Sequence, residues 1–324
     1  MKALIKRIVA IFKVPIDLLL LVIAAPAGLI LLFYRRIGSA RLPFTTWVLK
    51  KIGVFPIRNH YYEPMFDDSS LTRPLSDDRY LPSIDFNVPA QLDFMGKLIY
   101  SNELVEMKWD AQPSGPLGVY IHNNSYVSGD AEFLYQFLRA TKPGKIIEIG
   151  CGHSTKIAAI ARQRNSSESE SASSHICIEP YEAPWLEKIN GIKVIRSRVE
   201  DCALDWGEEL SAGDLLFIDS SHMIRPQGDV LKEYLEIFPQ LASGVYIHVH
   251  DIFTPKDYLD SWIKEEVRFW NEQYLLEALL SNSDRYEVIG ALNYLMHHHR
   301  GELMRVCPYL TPEREPGAFY MRVR

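Results

Sequence analysis

KIIEIGCGHST, Lys145 to Thr155, decides how the rest of the chain reads. Ile146, Ile147 and Ile149 form a short apolar run rich in β-branched residues, the pattern of a strand buried on both faces of a parallel sheet. Glu148 places a carboxylate near the end of that run. Gly150 and Gly152 permit a tight turn, and Ser154-Thr155 open a helical stretch, KIAAIARQR. Bare backbone and a helix N-terminus then face whatever lies above the strand, which predicts a ligand-binding turn. The dinucleotide fingerprint needs a third glycine where Thr155 stands, so a nicotinamide dinucleotide is disfavoured.

A second acid follows at the next strand end, Glu179 in ICIEP, Ile176 to Pro180. A carboxylate ahead of G-x-G, then an acid closing the following strand, resembles the first motifs of class I S-adenosylmethionine (SAM) methyltransferases. The resemblance implies SAM as cofactor. Glu148, Gly150 and Gly152 would lie at its amino-acid end, Glu179 at the ribose hydroxyls, and Glu200-Asp201, after the third strand, near the adenine.

Outward from this turn, strands recur at the pace of a βαβ array: HICIE (175–179), IKVIR (192–196), DLLFID (214–219) and GVYIHVHD (244–251). RYEVIGAL (285–292) and GAFYMRV (317–323) suit an antiparallel close. The expected fold is α/β, a doubly wound, seven-stranded, mostly parallel Rossmann-like sheet with an antiparallel last strand. Ahead of it, a helix beginning near Ser128, with Asp130 and Glu132 in its first turn, should wall the cofactor site; Tyr126 and Asp130 are within its reach. NSSESESASS (165–174) reads as a flexible polar loop, and Pro255 to Leu280 as one long amphipathic helix whose Leu259, Ile263, Val267, Trp270 and Tyr274 pack on the sheet. HHHR (297–300) reads as a solvated turn, since three consecutive histidines cannot all face one ion.

The remaining bounds come from composition. The chain has 324 residues, 47% hydrophobic and 23% charged, with a formal charge of −6. That supplies one large core and no general basic field for nucleic acid. Cys151, Cys177, Cys202 and Cys307 show no framework spacing and read as reduced thiols. Val14 to Phe33 is almost wholly apolar and as one helix would rise about 30 Å, enough to cross a bilayer. Arg35-Arg36 follow directly, with no A-x-A-like site, which sets a cleaved signal peptide aside. Basic residues flank both sides, so one expectation is a re-entrant hairpin broken at Pro26, with Lys2 to Lys13 lying on anionic lipid; a single membrane helix is the other. SAM is made in the cytosol, so the catalytic domain should face the cytoplasm from the inner membrane. The expected organisation is an anchor (1–36), a proline-rich connector (37–87) whose HYYEPMF aromatics suit an interface, and the catalytic domain (88–324).

Two strand ends carry the chemistry. FIDSSH puts Asp219 at the end of the fourth strand with His222 three residues on, and HVHDIFTP puts His250 and Asp251 at the end of the fifth. In a doubly wound sheet these tips are neighbours over the ligand crevice. The set resembles the metal-dependent O-methyltransferase branch, which includes catechol and macrolide-sugar O-methyltransferases, the latter sharing D-x-S-H. That resemblance implies Asp219, His250 and Asp251 as ligands of a divalent cation, magnesium or manganese, and His222 as general base. Histidine where the branch has an acid admits iron or zinc. WNEQYLL (270–276) also resembles this branch, with Asn271, Glu272 or Tyr258 near the acceptor. The chemistry is self-consistent: moving a methyl from a sulfonium to a hydroxyl requires in-line placement, loss of the hydroxyl proton and stabilisation of the developing alkoxide.

The expected activity is therefore a membrane-associated, SAM-dependent O-methyltransferase. Its partners would be membrane lipids and a small-molecule, glycan, lipid-linked or polyketide-like acceptor. Two alternatives stand beside it: a non-catalytic scaffold of envelope biosynthesis on the same fold, and a metal-dependent hydroxylase related to cephalosporin hydroxylases.

Overall fold

The computed structural model describes residues 2–168 and 173–324. It separates into two compact units, residues 1–72 and 73–324.

The first unit is built on α1 (Lys2–Ile37), which continues through Pro15 and Pro26. Its one non-helical residue is Phe12 (φ −110°, ψ 23°). The break expected at Pro26 is therefore absent, and with it the fold's hairpin alternative. A proline ring removes one hydrogen bond, and a helix this long retains the rest. Phe12–Ile37 is long and apolar enough to cross a membrane by length and composition. The side chains that would show how Lys2 to Ala10 meets lipid lie outside the described residues. A second helix, α2 (Pro43–Ile52), buries none of its residues, and Phe44 and Trp47 stand exposed.

The second unit opens with α3 (Val88–Gly96), α4 (Ser101–Met107) and α5 (Asp130–Thr141). Then come β1 (Lys145–Ile149), α6 (His153–Glu168), β2 (Ser174–Ile178), β3 (Lys193–Ile195), α7 (Trp206–Glu209), β4 (Leu215–Ile218), α8 (Asp229–Lys232) and β5 (Tyr246–Val249). The chain closes with α9 (Glu272–Ser281), β6 (Tyr286–Ala291), α10 (Leu292–His298), α11 (Arg300–Val306) and β7 (Phe319–Val323). All seven strands form one sheet in the order β3-β2-β1-β4-β5-β7-β6. β1 to β5 pair in parallel, while β7 lies antiparallel between β5 and β6. This is the expected α/β sheet.

The unbroken apolar strands have a direct cause, since each face carries its own core. Ile146, Leu215 and Phe217 pack with Phe133, Phe137 and Ala158 on one side. Ile147, Ile149, Leu216, Ile218 and Val249 pack with Phe238 and Leu276 on the other. Strand alternation sends neighbours to opposite layers, so every position but the edges wants an apolar side chain.

Three local expectations change. The polar loop begins later, because α6 runs to Glu168; Asn165 is buried and donates to the Leu138 carbonyl at 2.9 Å, and residues 169–172 lie outside the described residues. The long helix from Pro255 is instead a loop with a short wide turn at Ser261–Glu265, followed by α9. Val267 takes a left-handed φ of 54° and stands half exposed, which a β-branched residue inside a helix cannot do. The histidine run caps α10, where His297 pairs with Glu315 at 2.8 Å and His298 with Asp78 at 2.7 Å.

Candidate active site

The chain leaves β1 for β2 and β3 on one side, then crosses back to β4, so the carboxyl ends of β1 and β4 flank the switch point where such sheets bind ligands. Gly150 makes this possible. Its φ is +77°, and a Cβ there would come 1.9 Å from the carbonyl oxygen of Asp219. The β1 turn and the β4 tip thus touch through a residue that can only be glycine. A Cβ on Gly152, by contrast, would meet nothing within 4 Å, because this glycine borders open space.

That space is a cleft of about 1030 Å³. Gly150 to Ser154 form its floor, Glu179 to Ala183 and Trp185 one wall, Arg198 to Glu200 its far edge, and Asp219 to Ser221 the side nearest β4. Ser125 and Tyr126 close it from the segment ahead of α5. The wall expected from α5 therefore comes from the loop before it, for the helix is buried from Asp130 to Arg139. Its N-terminus is organised by Glu132, which accepts from the Gly129 amide at 2.7 Å and from Ser128 Oγ at 3.0 Å.

The expected cofactor residues divide. Glu179 lines the cleft, its carboxylate accepting from the Cys151, Tyr181 and Glu182 amides at 3.2, 2.8 and 2.8 Å. Glu200 lines it too. Asp201 does not, as it turns to the surface and pairs with Arg198. Glu148 also departs from expectation. Strand alternation sends it under the turn, where Oε1 accepts from Ser154 Oγ at 2.6 Å and Thr155 Oγ1 at 3.0 Å, and Oε2 meets His175 Nε2 at 2.8 Å. It ties the first turn of α6 to β1 from below. Burial disfavours a charged His175, but hydrogen bonds to Cys177 and Glu148 raise its pKa to about 9.

At the tips of β4 and β5 four side chains meet. His222 Nε2 lies 3.4 Å from Asp219 Oδ1 and 3.4 Å from Asp251 Oδ2. His250 Nδ1 lies 3.4 Å from the same Asp219 oxygen and 3.5 Å from Asp251 Oδ1. Behind them His222 Nδ1 meets Glu272 Oε2 at 2.8 Å, and His250 Nε2 faces Asp130 at 3.5 Å. Asp130 also accepts from the Gly317 and Ala318 amides at 3.2 and 2.8 Å. Two of the four sit in left-handed backbone, His222 at φ 58° and Asp251 at φ 57°. Such conformations cost on the order of 1–3 kcal/mol each and concentrate at working sites.

The electrostatics are lopsided. Asp130, Asp219, Asp251 and Glu272 set four carboxylates against two imidazoles, all with little or no contact with bulk solvent apart from Asp219. Burial disfavours charge on His222, yet hydrogen bonds to Asp219 and Glu272 raise its pKa to about 10. His250 is likewise raised, against its burial, by Asp251 and Asp219. The Asp219 carboxyl, against its partial burial, is held far below its ordinary value by the neighbouring imidazoles, whereas burial keeps Asp251 above its own. A cluster with this excess of negative charge calls for protons or a cation.

The groups able to grip one ion are Asp219, His222 and Asp251, whose donor atoms all lie within 4.8 Å of one another. His222, expected as a base, thus lies with the two aspartates, and His250, expected as a ligand, is as near to both of them and also faces Asp130. Nearby His248 is fully buried and stacked on Phe217, with ring centroids 4.1 Å apart, and burial drives its pKa well down.

Glu272 is the residue that sequence reading placed least well. Expected near the acceptor, it is completely buried, and its amide and that of Asn271 both donate to the His222 carbonyl, at 3.2 and 3.0 Å. Trp270 packs on the His222 ring at 4.4 Å. Nothing in the local sequence marks it, because its role comes from packing against a loop fifty residues away.

No curated protein matches the chain. Among solved structures it is similar to a candidate methyltransferase from Thermobifida fusca, with 12% identity over 60% of this chain and 79% of that one, at a TM-score of 0.37. Residues 147–252, from β1 to just past the β5 tip, match the family model for a methyltransferase domain, which supports a methyltransferase.

Proposed function

We propose that this chain is a membrane-associated O-methyltransferase that uses SAM and a divalent cation to methylate a hydroxyl of a glycan, lipid-linked sugar or polyketide-like acceptor. The observation that carries the reading is the convergence of Asp219, His222 and Asp251 at the two strand tips, with Asp219 also bordering the cleft over the glycine turn.

The residues fit both groups. The unfilled space over Gly152 and the acid wall of Glu179 suit a cationic sulfonium nucleoside. Two carboxylates and one imidazole suit a borderline or hard divalent ion, manganese, magnesium or iron. When bound, SAM supplies an electrophilic methyl carbon and the cation a Lewis acid for the acceptor oxygen. The protein's own work is positional. Gly150 and Gly152 let the backbone approach the donor's amino-acid end. Glu179, three of whose lone-pair directions are taken by amides, keeps room for a hydroxyl. Asp219 and Asp251 hold the acceptor side, and Glu272 fixes the orientation of His222 through Nδ1. His222 and His250 each lie within 3.5 Å of both aspartates, so one imidazole can complete the ligand set while the other moves the hydroxyl proton.

The test is methyl transfer from labelled SAM by the purified full-length chain, with and without EDTA, beside Asp251→Asn. Transfer abolished by EDTA, restored by manganese or magnesium, and reduced at least about 100-fold in the variant is expected, scaled from losses seen when metal-orienting groups are removed. Transfer indifferent to EDTA would remove the cation from the reading. SAM binding without transfer to any hydroxyl acceptor would favour the scaffold, and product formation dependent on Fe²⁺ and oxygen the hydroxylase.

A further inference from the structure

Within the first unit, beside the end of α1, lies a second cleft of about 520 Å³. Leu31 and Leu32 form its apolar side, and Arg35, Arg36, Arg58 and His60 its polar side. One carboxylate answers the three guanidiniums: Arg35 Nη2 pairs with Glu63, and Arg58 Nε lies 3.5 Å from the same Glu63 oxygen. Two positive charges remain. The Nε atoms of Arg35 and Arg58 are buried and have no hydrogen-bond partner among the described residues. Arg35 is held rigid over the Phe55 ring, with 5.0 Å to its centroid, so it cannot swing out to water without losing that contact. A guanidinium whose Nε is shut away from water without a partner is costly, and an anion relieves it.

The position says which anion. α1 exposes Leu29, Ile30 and Phe33 immediately before the arginines, and Tyr61 and Tyr62 stand exposed beside the cleft. An apolar helix that gives way to arginines and amphipathic aromatics matches the boundary between acyl chains and headgroups. The anion concentrated at that depth is lipid phosphate. A phosphomonoester carries about −1.5 to −2 charge near neutral pH, which matches the two uncompensated arginines, whereas a zwitterionic headgroup does not.

We propose that this cleft binds the phosphomonoester headgroup of a lipid, with its hydrocarbon running along Leu31 and Leu32. The inference rests on the reading of the chain as membrane-associated and is independent of its methyl-transfer chemistry. It assigns a lipid class to a site outside the candidate active site.

The full-length chain would be examined by native mass spectrometry in detergent, titrated with phosphatidic acid or phosphatidylcholine, in the presence or absence of inorganic phosphate. Preferential retention of phosphatidic acid is expected, falling about tenfold in Arg58→Gln and in Arg36→Gln, the scale of one lost charge-assisted hydrogen bond. Lys50→Gln/Lys51→Gln, which removes two α2 charges outside the cleft, should leave retention unchanged. Arg36 is exposed, so its variant keeps the test valid if Arg58→Gln folds poorly. Equal retention of both lipids, no loss in either arginine variant, or an equal loss in the lysine variant would overturn the site. Displacement by millimolar inorganic phosphate would make it a free-phosphate site and overturn the lipid. Flotation of the same proteins with phosphatidylcholine vesicles separates the two levels: wild-type protein that fails to float removes the membrane reading itself, and floating protein without lipid preference removes only the cleft.

Discussion

Asp219 Oδ1 is equidistant, at 3.4 Å, from His222 Nε2 and His250 Nδ1, which makes it the atom through which the two strand tips communicate. The proposed ion set depends as much on what stands behind it. Glu272 touches neither the cleft nor the two aspartates, yet it accepts from His222 Nδ1 if that nitrogen is protonated, which leaves Nε2 free to ligate. We expect Glu272→Gln to lower manganese affinity and kcat about 10–100-fold while the acceptor KM changes little, with Glu272→Asp recovering part of the loss. Calorimetric titration of manganese into the variant checks this apart from turnover. A purely structural Glu272 would instead lower the melting temperature and leave the affinity of the folded fraction intact.

At the scale of the element, the β1–α6 turn separates two kinds of glycine. Gly150→Ala places a methyl group against the Asp219 carbonyl in left-handed backbone and should cost at least about 3 kcal/mol in a urea melt. Gly152→Ala meets open space, so it should melt like the parent and lose SAM affinity, measured by calorimetry, because that space is the proposed donor cradle. A Gly152 variant that binds SAM as the parent does would move the donor elsewhere. Beneath the turn, the Glu148–His175 pair locks β1 to β2 and makes stability depend on pH. Since the folded pKa of His175 is raised from 6.5 to about 9, its contribution is full below about pH 6.5 and is lost as pH rises through 9. The stability gap between the parent and His175→Gln should therefore be largest at pH 6 and shrink by pH 9.5, by up to a few kcal/mol on the scale of 1.36 kcal/mol per pKa unit. A gap that stays constant would mean the imidazole is neutral in the folded protein.

For the whole molecule, the two units differ in what they bury. Residues 73–324 enclose both cores of the sheet, while in the first unit α2 buries nothing and Phe12–Ile37 presents its apolar side chains outward. Residues 73–87 belong with the sheet: Arg79 pairs with Glu277, and Asn87 donates to Glu287 at 3.1 Å. We expect a fragment of residues 73–324 to be soluble, to melt cooperatively and to bind SAM as the full chain does, while only the full chain floats with lipid vesicles. A cut at residue 88 should lose stability relative to a cut at 73, because it leaves Glu277 buried without its guanidinium.

Much of this was legible before any coordinates. The seven strands, their parallel-then-antiparallel order and the glycine turn follow from local rules, since a two-faced strand must be apolar at every step and a tight turn against a neighbouring strand admits only glycine. The membrane-length helix follows from composition alone. Tertiary structure alone decided which way the polar side chains of those strands and tips point. Glu148 sits under the turn because of a one-residue alternation, and Asp201 turns outward because Arg198 captures it. His222 sits in left-handed backbone, and a carboxylate fifty residues away, at 272, holds its ring. Residue types report what chemistry a strand end can do, but side-chain direction depends on backbone dihedrals and distant partners that no local pattern records.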